Sequence, residues 1–476
     1  MTDPTPPRRR RRLALSLRTL MILVLIIGGF LGWQARRASI QRQAVAKITA
    51  AGGSVLYDYQ IAASRQTGKF TRNPPRWVPG WLRTSMGEES FQEVSWVFFQ
   101  NNNPKVEPPH DPAIYEAVTT LDTVEAIDML RYPLDDRDFA RFMAMPRLRA
   151  LGLLDVEVTD AGLDSLEFAP AIEELSIRSK QGILTGRALV AIARQPRLKR
   201  LELLKINLPN PDDLAPLAKL SQLESLYLYP SPPDDRCLRH LKDLKSLKQL
   251  DLRSTLLTDA GVETLAKLDK LESALFDGSK LTEAGLARLA AIPTLKEMYL
   301  EPLPSLTDAG LASLDKLNSL STLCLTASNV TDAGLAHLKG LKLQRITVSG
   351  LGVTDLGFEH LVTANEILEL DLSGTSVTST GLKALENRPG PRWLSLDGTR
   401  VDDAGAATLA TLSTAFLSLD ETSITDATLD ALQQNKSLRF LEVRGTKVTP
   451  EGLEAFRKAR PEVMVKSGPI EPIPDR

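Results

Sequence analysis

A chain of 476 residues with 25 % charged and 43 % apolar residues has the balance of a folded protein, which excludes wholesale disorder. Aromatic residues make up only 5 %, and the two cysteines exclude both a disulfide-built scaffold and a four-cysteine zinc site. The net charge of −1 hides an asymmetry: residues 1–47 carry ten Lys and Arg against Asp3, or +9, so the remainder sums to −10, and so acidic a body argues against nucleic acid, whose affinity rests on clustered cations neutralising phosphates.

Residues 1–12 read as a basic cytoplasmic tail, with Arg8 to Arg12 in a row. Residues 13–35 read as a transmembrane signal anchor. Its core, Leu13–Trp33, is 21 residues, about 31 Å as a helix at 1.5 Å per residue, which matches a bilayer core of about 30 Å. Arg18 lies near one end, where its stem can snorkel, and Trp33 sits where an interfacial aromatic belongs. A cleaved signal peptide shares the basic flank and apolar core, but the segment ends Gly-Trp-Gln-Ala-Arg-Arg without a clean small-x-small site. More arginines precede the segment than follow it closely, which puts the N-terminus in the cytoplasm and exports the body of this single-pass protein.

Residues 36–90 read as a juxtamembrane helix and linker: Ile40–Ala51 is helical up to Gly52-Gly53, Ser54–Gln60 is a short strand, and Thr67–Gly87, rich in Pro, Arg and Trp, is irregular. Residues 91–123 read as the N-terminal cap of a repeat array, because Val94-x-x-Val97-x-Phe99 matches the repeat frame but precedes the first full unit by thirty residues.

From Val124 to residue 465 a frame L-x-x-L-x-L recurs. It starts at Val124, Leu148, Ile172, Leu198, Leu223, Leu247, Leu271, Leu295, Leu320, Leu343, Ile367, Pro391, Thr414 and Leu438, giving about 14 units with a period near 24. Leu247-Lys-Gln-Leu250-Asp-Leu252 alternates with period two and predicts a strand with one buried face. Thr258-Asp-Ala-Gly261 then opens a helix, with Thr258 as N-cap and Asp259 favoured by the helix dipole, and Val262, Leu265 and Leu268 form its apolar stripe. One unit cannot bury its own apolar edges, so stacked neighbours must. The entry string returns at Thr159, Thr307 and Thr331; the units starting at Leu198 and Leu223 carry prolines in its place and predict shortened segments. A helix over Glu451–Ala459 and a strand over Val463–Val465 close the array, and residues 466–476 read as a disordered tail.

These strings resemble the ribonuclease-inhibitor-like leucine-rich repeats of bacterial membrane-anchored proteins. The resemblance implies an α/β fold, a leucine-rich-repeat solenoid of about 14 repeats preceded by one N-terminal transmembrane helix. It implies strands on a concave side, helices on a convex side, and partner binding in general.

The motifs of phosphate loops, dinucleotide folds, zinc proteases and serine hydrolases do not occur, and the reading is of a non-enzyme with no cofactor and no metal. His240, His337 and His360 share one place on successive helices, but a zinc site needs further ligands than that column offers. Cys237 and Cys324 fall four units apart, about 19 Å at 4.8 Å per unit, too far for a bridge.

Positions two, four and six after each frame start should face outward, over an arc of about 62 Å. Most are small or charged. The exceptions are Tyr227 and Tyr229 on one strand, and Trp393, Phe416 and Phe440 in one column of three consecutive units, with Asp397 and Asp420 beside them. Large aromatics stay buried unless they bind something or a cap covers them. These seven residues are the candidate site. The function expected is a membrane-tethered scaffold binding a protein partner through the concave β-face; the alternatives are a cell-surface glycan binder and a cytosol-facing adaptor.

Overall fold

The computed structural model describes residues 17–61, 92–101, 108–169, 172–180, 184–230, 234–252, 257–277, 280–301, 303–326, 329–350, 352–364, 366–388 and 390–468. The basic tail, the linker Thr67–Gly87 and most of the proline-rich C-terminus lie outside these residues. The chain divides into two compact units, residues 1–153 with 168–170 and residues 154–167 with 171–476.

In the first unit the expected anchor and juxtamembrane helix are one helix, Leu17–Ala50. Nothing between Gln34 and Ser39 breaks it, since no proline or glycine stands there. Its 34 residues extend about 51 Å at 1.5 Å per residue. The stretch Met21–Ala50 is long and apolar enough to cross a membrane. Met21–Ile27 and Phe30 are not covered by the rest of the chain, whereas Ala38, Gln41, Ala44 and Ile48 form a buried stripe at helical spacing. That stripe packs on the helix Pro112–Thr119. Arg37 fixes the same half, pairing with Glu93 at 3.0 Å and Asp122 at 3.3 Å.

Gly52, at φ +82°, ends the helix in a conformation that only glycine adopts without strain. Gly53 has a different reason: a Cβ there would stand 2.5 Å from the Phe99 ring. The strand expected over Ser54–Gln60 is Gly53–Tyr57, antiparallel to Val94–Gln100. Val94–Gln100 in turn pairs parallel with Ala126–Leu130, the strand of the first frame unit, so the frame match at Val94 marks a true ladder member.

In the second unit each frame start is followed two residues later by a strand, from Glu174–Ser179 to Phe440–Glu442, and neighbours pair in parallel in chain order. Leu247, Leu250, Leu252, Val262, Leu265 and Leu268 are all buried, as the two periodicities require. The units starting at Leu198 and Leu223 hold 3₁₀ segments, Pro211–Lys219 and Asp235–His240; in the first, Pro211 and Pro216 lack amides, whereas the second contains no proline.

The Thr-Asp-Ala-Gly string works between units more than within one. The Asp259 carboxylate accepts the Thr282 amide at 2.9 Å and the Thr282 hydroxyl at 2.6 Å, both from the next unit. The same pair of bonds joins Asp308 to Thr331, Asp355 to Thr378, Asp403 to Thr425 and Asp426 to Thr449. The helix-dipole reading of Asp259 is therefore incomplete, and Thr258 makes no side-chain cap of its own helix. Glycine closes the string because the carboxylate lies against it: a Cβ on Gly285 would be 2.1 Å from Asp259 Oδ1, and one on Gly334 2.3 Å from Asp308 Oδ1.

A second ladder runs through the turns after the strands. Gly374, Gly398, Glu421 and Gly445 all have φ between 56° and 69°, and Thr375, Thr399, Thr422 and Thr446 each donate to the carbonyl three residues back. At the C-terminal end the helix is Pro450–Ala459 and the strand is Met464–Lys466. Lys466, expected in the disordered tail, thus belongs to the sheet. Arg460 is buried and donates to the carbonyls of Leu432, Gln433 and Asn435, the open end of the preceding helix.

Candidate functional site

Strand alternation decides which side chains the sheet offers. Leu394, Leu417 and Leu441 are buried beneath the last units, so Trp393, Phe416 and Phe440, one residue before each, point to the opposite side. The three stand in register and stack. Ring centroids are 5.2 Å apart for Trp393 and Phe416 and 4.9 Å for Phe416 and Phe440, with planes within 15° and 9° of parallel. The parallel-strand step of about 4.8 Å dictates this spacing. All three are half-buried, because each ring covers its neighbour.

The final strand extends this column and does not fold over it. Met464 stands in register with Phe440 and is 65 % exposed. Lys466, diagonal to Phe440, holds its ammonium 4.9 Å from the Phe440 ring centre and 2.8 Å from Glu442. Phe416 therefore has both faces covered by rings, and the far face of Phe440 carries a cation.

The two candidate aspartates differ. Asp420 is buried and committed to Arg444, which donates its backbone amide and guanidinium to it and also pairs with Glu442 at 2.6 Å. It is not open to a ligand. Asp397 accepts the Asp420 amide at 2.9 Å. Burial holds its carboxyl above the usual carboxylate range, and the Asp420 charge adds to this, against the opposing hydrogen bonds from Ser418, the Asp420 amide and Ser395.

Tyr227 and Tyr229 lie seven units before Trp393, about 34 Å along the sheet. The structure does not bring them to the ladder. Tyr227 donates to Gln249 at 2.6 Å and lies under the Arg200 guanidinium, 5.0 Å from ring centre; Tyr229 is 47 % exposed. Sequence reasoning passed over Tyr299 and Glu369. Both occupy outward positions of the frame, and both line a shallow groove that ends on Trp393 and includes Cys324, Arg345 and Thr347. The outward-position rule marks them; what hid them was the ordinary look of one tyrosine and one glutamate.

Of the histidines, His240 pairs with Asp212 at 2.8 Å, and His337 is exposed. Cys237 and Cys324 are both buried, and neither forms a disulfide. Burial pushes the Cys237 thiol up to about 12. Among the described residues, one group could hold an ion: His110, Asp135 and Asp138, with ligand atoms within 4.8 Å of one another. Asp138, however, already pairs with Arg141 at 2.9 Å as well as His110 at 2.7 Å, and Asp135 caps a helix.

The family model described as Leucine Rich repeat matches residues 243–266 and 434–456. These matches fall on the frame and on the entry string. The array is a leucine-rich-repeat solenoid. Among solved structures, this leucine-rich-repeat chain is similar to a leucine-rich-repeat protein of Leptospira interrogans, at 19 % identity and a TM-score of 0.45, covering 74 % of this chain and 91 % of that one. It is similar to an internalin of Listeria monocytogenes at 16 % identity and a TM-score of 0.39, covering 75 % and 83 %. It is also similar to TLR13 in its complex with ssRNA13, at 17 % identity and a TM-score of 0.47, covering 71 % and 55 %. No curated protein matches the sequence.

Proposed function

We propose that the protein is a membrane-tethered leucine-rich-repeat scaffold, without catalytic activity, that binds a protein partner through the outward face of its sheet near the C-terminal end. The ladder of Trp393, Phe416 and Phe440, continued by exposed Met464, carries this reading. Single exposed apolar side chains are ordinary on a surface, but a contiguous stack beside charged residues has the composition of an interface centre. The apolar helix supports the tether, and the cations before it support export of the repeats.

The glycan reading is weaker for a geometric reason. A sugar ring stacks on the face of an aromatic, and here the faces of Phe416 and the far face of Phe440 are occupied, which leaves one terminal face, at Trp393, where a platform of several sugar rings would need more. Asp420 and Glu442, the acceptors beside Phe416 and Phe440, are taken by Arg444 and Lys466, and Glu369 is the one carboxylate in register with the open face.

A photoreactive benzophenone in place of Phe416, in the full chain in its native cell, should give a discrete protein adduct. The adduct should vanish when Phe440 is also changed to Ala, and the same group at exposed Val190 should give none. Equal adducts from both positions would reject the site. Export is read separately. The native thiols are both buried, so Glu451→Cys should react in intact cells with a membrane-impermeant maleimide; protection until lysis would place the repeats in the cytosol.

A further inference from the structure

We infer that the Trp393 end of the ladder receives a Lys or Arg side chain of the protein partner, with its charge on Glu369. This deepens the protein-binding reading above and rests on it.

The chain itself shows the contact at the other end. The stack is a row of rings standing side by side, so only its two terminal faces are open to a group approaching along the sheet. At the Phe440 end, Lys466 fills that face, with Glu442 as its counter-ion. At the Trp393 end, no ring or cation stacks on the outer face among the described residues. The residue in register there is Glu369, on the adjacent strand. Glu369 is exposed, and its carboxylate has no hydrogen bond or ion pair among the described residues. An indole with a free carboxylate beside it is the better half of the arrangement that holds Lys466, because indole attracts cations more strongly than phenyl.

The approach to this face is the groove between Tyr299 and Trp393. The charges in and beside it are Glu297, Glu369 and Asp371 against Arg345. Arg345 is already engaged, to Glu297 at 2.6 Å and the Thr322 hydroxyl at 3.0 Å. One guanidinium against three carboxylates leaves the groove acidic, complementary to a cation and repulsive to an acidic segment.

The test uses the full chain in neutral detergent with fluorescein-labelled hexa-arginine as probe, read by anisotropy at about 0.15 M salt so that exposed charges are screened. The expected result is saturable binding that Trp393→Leu weakens about ten-fold and Trp393→Phe about three-fold, the order of cation attraction by the side chain. Glu369→Gln should weaken it several-fold and convex-face Glu263→Gln not at all. If Trp393→Leu disturbs folding, Glu369→Gln decides alone, since Glu369 anchors nothing within the chain. Unchanged affinity in these variants, no binding up to about millimolar peptide, or ladder-dependent binding of hexaglutamate overturns the cation assignment. The Phe416 adduct is independent of it: an adduct without hexa-arginine binding removes this inference and leaves the protein-binding reading standing.

Discussion

Gly285→Ala should destabilise the array although it improves a helix. Gly285 lies in the first turn of the helix Glu283–Leu289, where alanine is intrinsically favoured by about 1 kcal/mol. Its Cβ, however, would stand 2.1 Å from Asp259 Oδ1, so the carboxylate must move. Moving it breaks two bonds to Thr282, of 2.9 and 2.6 Å. Hydrogen bonds to a charged group contribute about 1.5–3 kcal/mol each. Two lost bonds less the helix gain give a net cost of about 2–5 kcal/mol, and partial rotation of the carboxylate keeps the result near the lower figure. Because a repeat array need not unfold in one step, the assay is amide hydrogen exchange over residues 257–290, with thermal melting beside it. The decisive comparison is the cycle with Asp259→Ala. Once the carboxylate is gone, Gly285→Ala should be neutral or stabilising. If the two substitutions add without coupling, or if Gly285→Ala alone stabilises, the ladder argument fails.

Leu250→Ala should cost about 2–5 kcal/mol through the cavity it leaves, whereas Gln249→Ala should cost about 1 kcal/mol, because its side-chain oxygen accepts the Tyr227 and Ser225 hydroxyls; similar losses in chemical denaturation would refute the strand phase. Glu421→Gly should raise stability by up to about 1 kcal/mol, since Glu421 holds φ +56° in a column where its neighbours are glycines; a lower melting temperature would show that its side chain matters more than its backbone. A chain beginning at Arg36 should keep the first unit folded, and one beginning at Ser54 should not, because the second loses Ala38, Ala44 and Ile48; equal protease resistance would show that the helix is dispensable. Acid should loosen the inter-unit ladder. Burial pulls the Asp259 and Asp403 carboxyls up, but the Thr282, Thr425 and Thr428 donors outweigh it and hold both below the usual range. A depressed folded value gives stability that is full above about pH 4 and lost as pH falls through that lower value, so melting temperature should drop there and Asp403→Asn should flatten the drop.

The repeat was legible in the sequence because its causes are local. Alternation at Leu247, Leu250 and Leu252 and three-residue spacing at Val262, Leu265 and Leu268 each follow from the geometry of one element, and fourteen copies in register leave the architecture little freedom. The column of Trp393, Phe416 and Phe440 was legible for the same reason: equal frame positions in consecutive units must be neighbours when parallel strands stack. The partners of the aspartates were not legible. Asp259 sits one residue after a threonine that looks like its own helix cap, yet its carboxylate reaches Thr282, and only stacking brings residues 23 apart within bonding distance. Sequence likewise offered Asp420 to a ligand, whereas the fold gives it to Arg444. The uninterrupted helix Leu17–Ala50 could not be read as one because its two halves answer to different surroundings: apolar all round at first, then a stripe matched to Pro112–Thr119, far along the chain. The orientation of the rings was a tertiary outcome as well. Register set their spacing, but the packing of each ring against the next turned their faces toward one another, and with Lys466 on Phe440 that left the Trp393 face beside Glu369 as the open end.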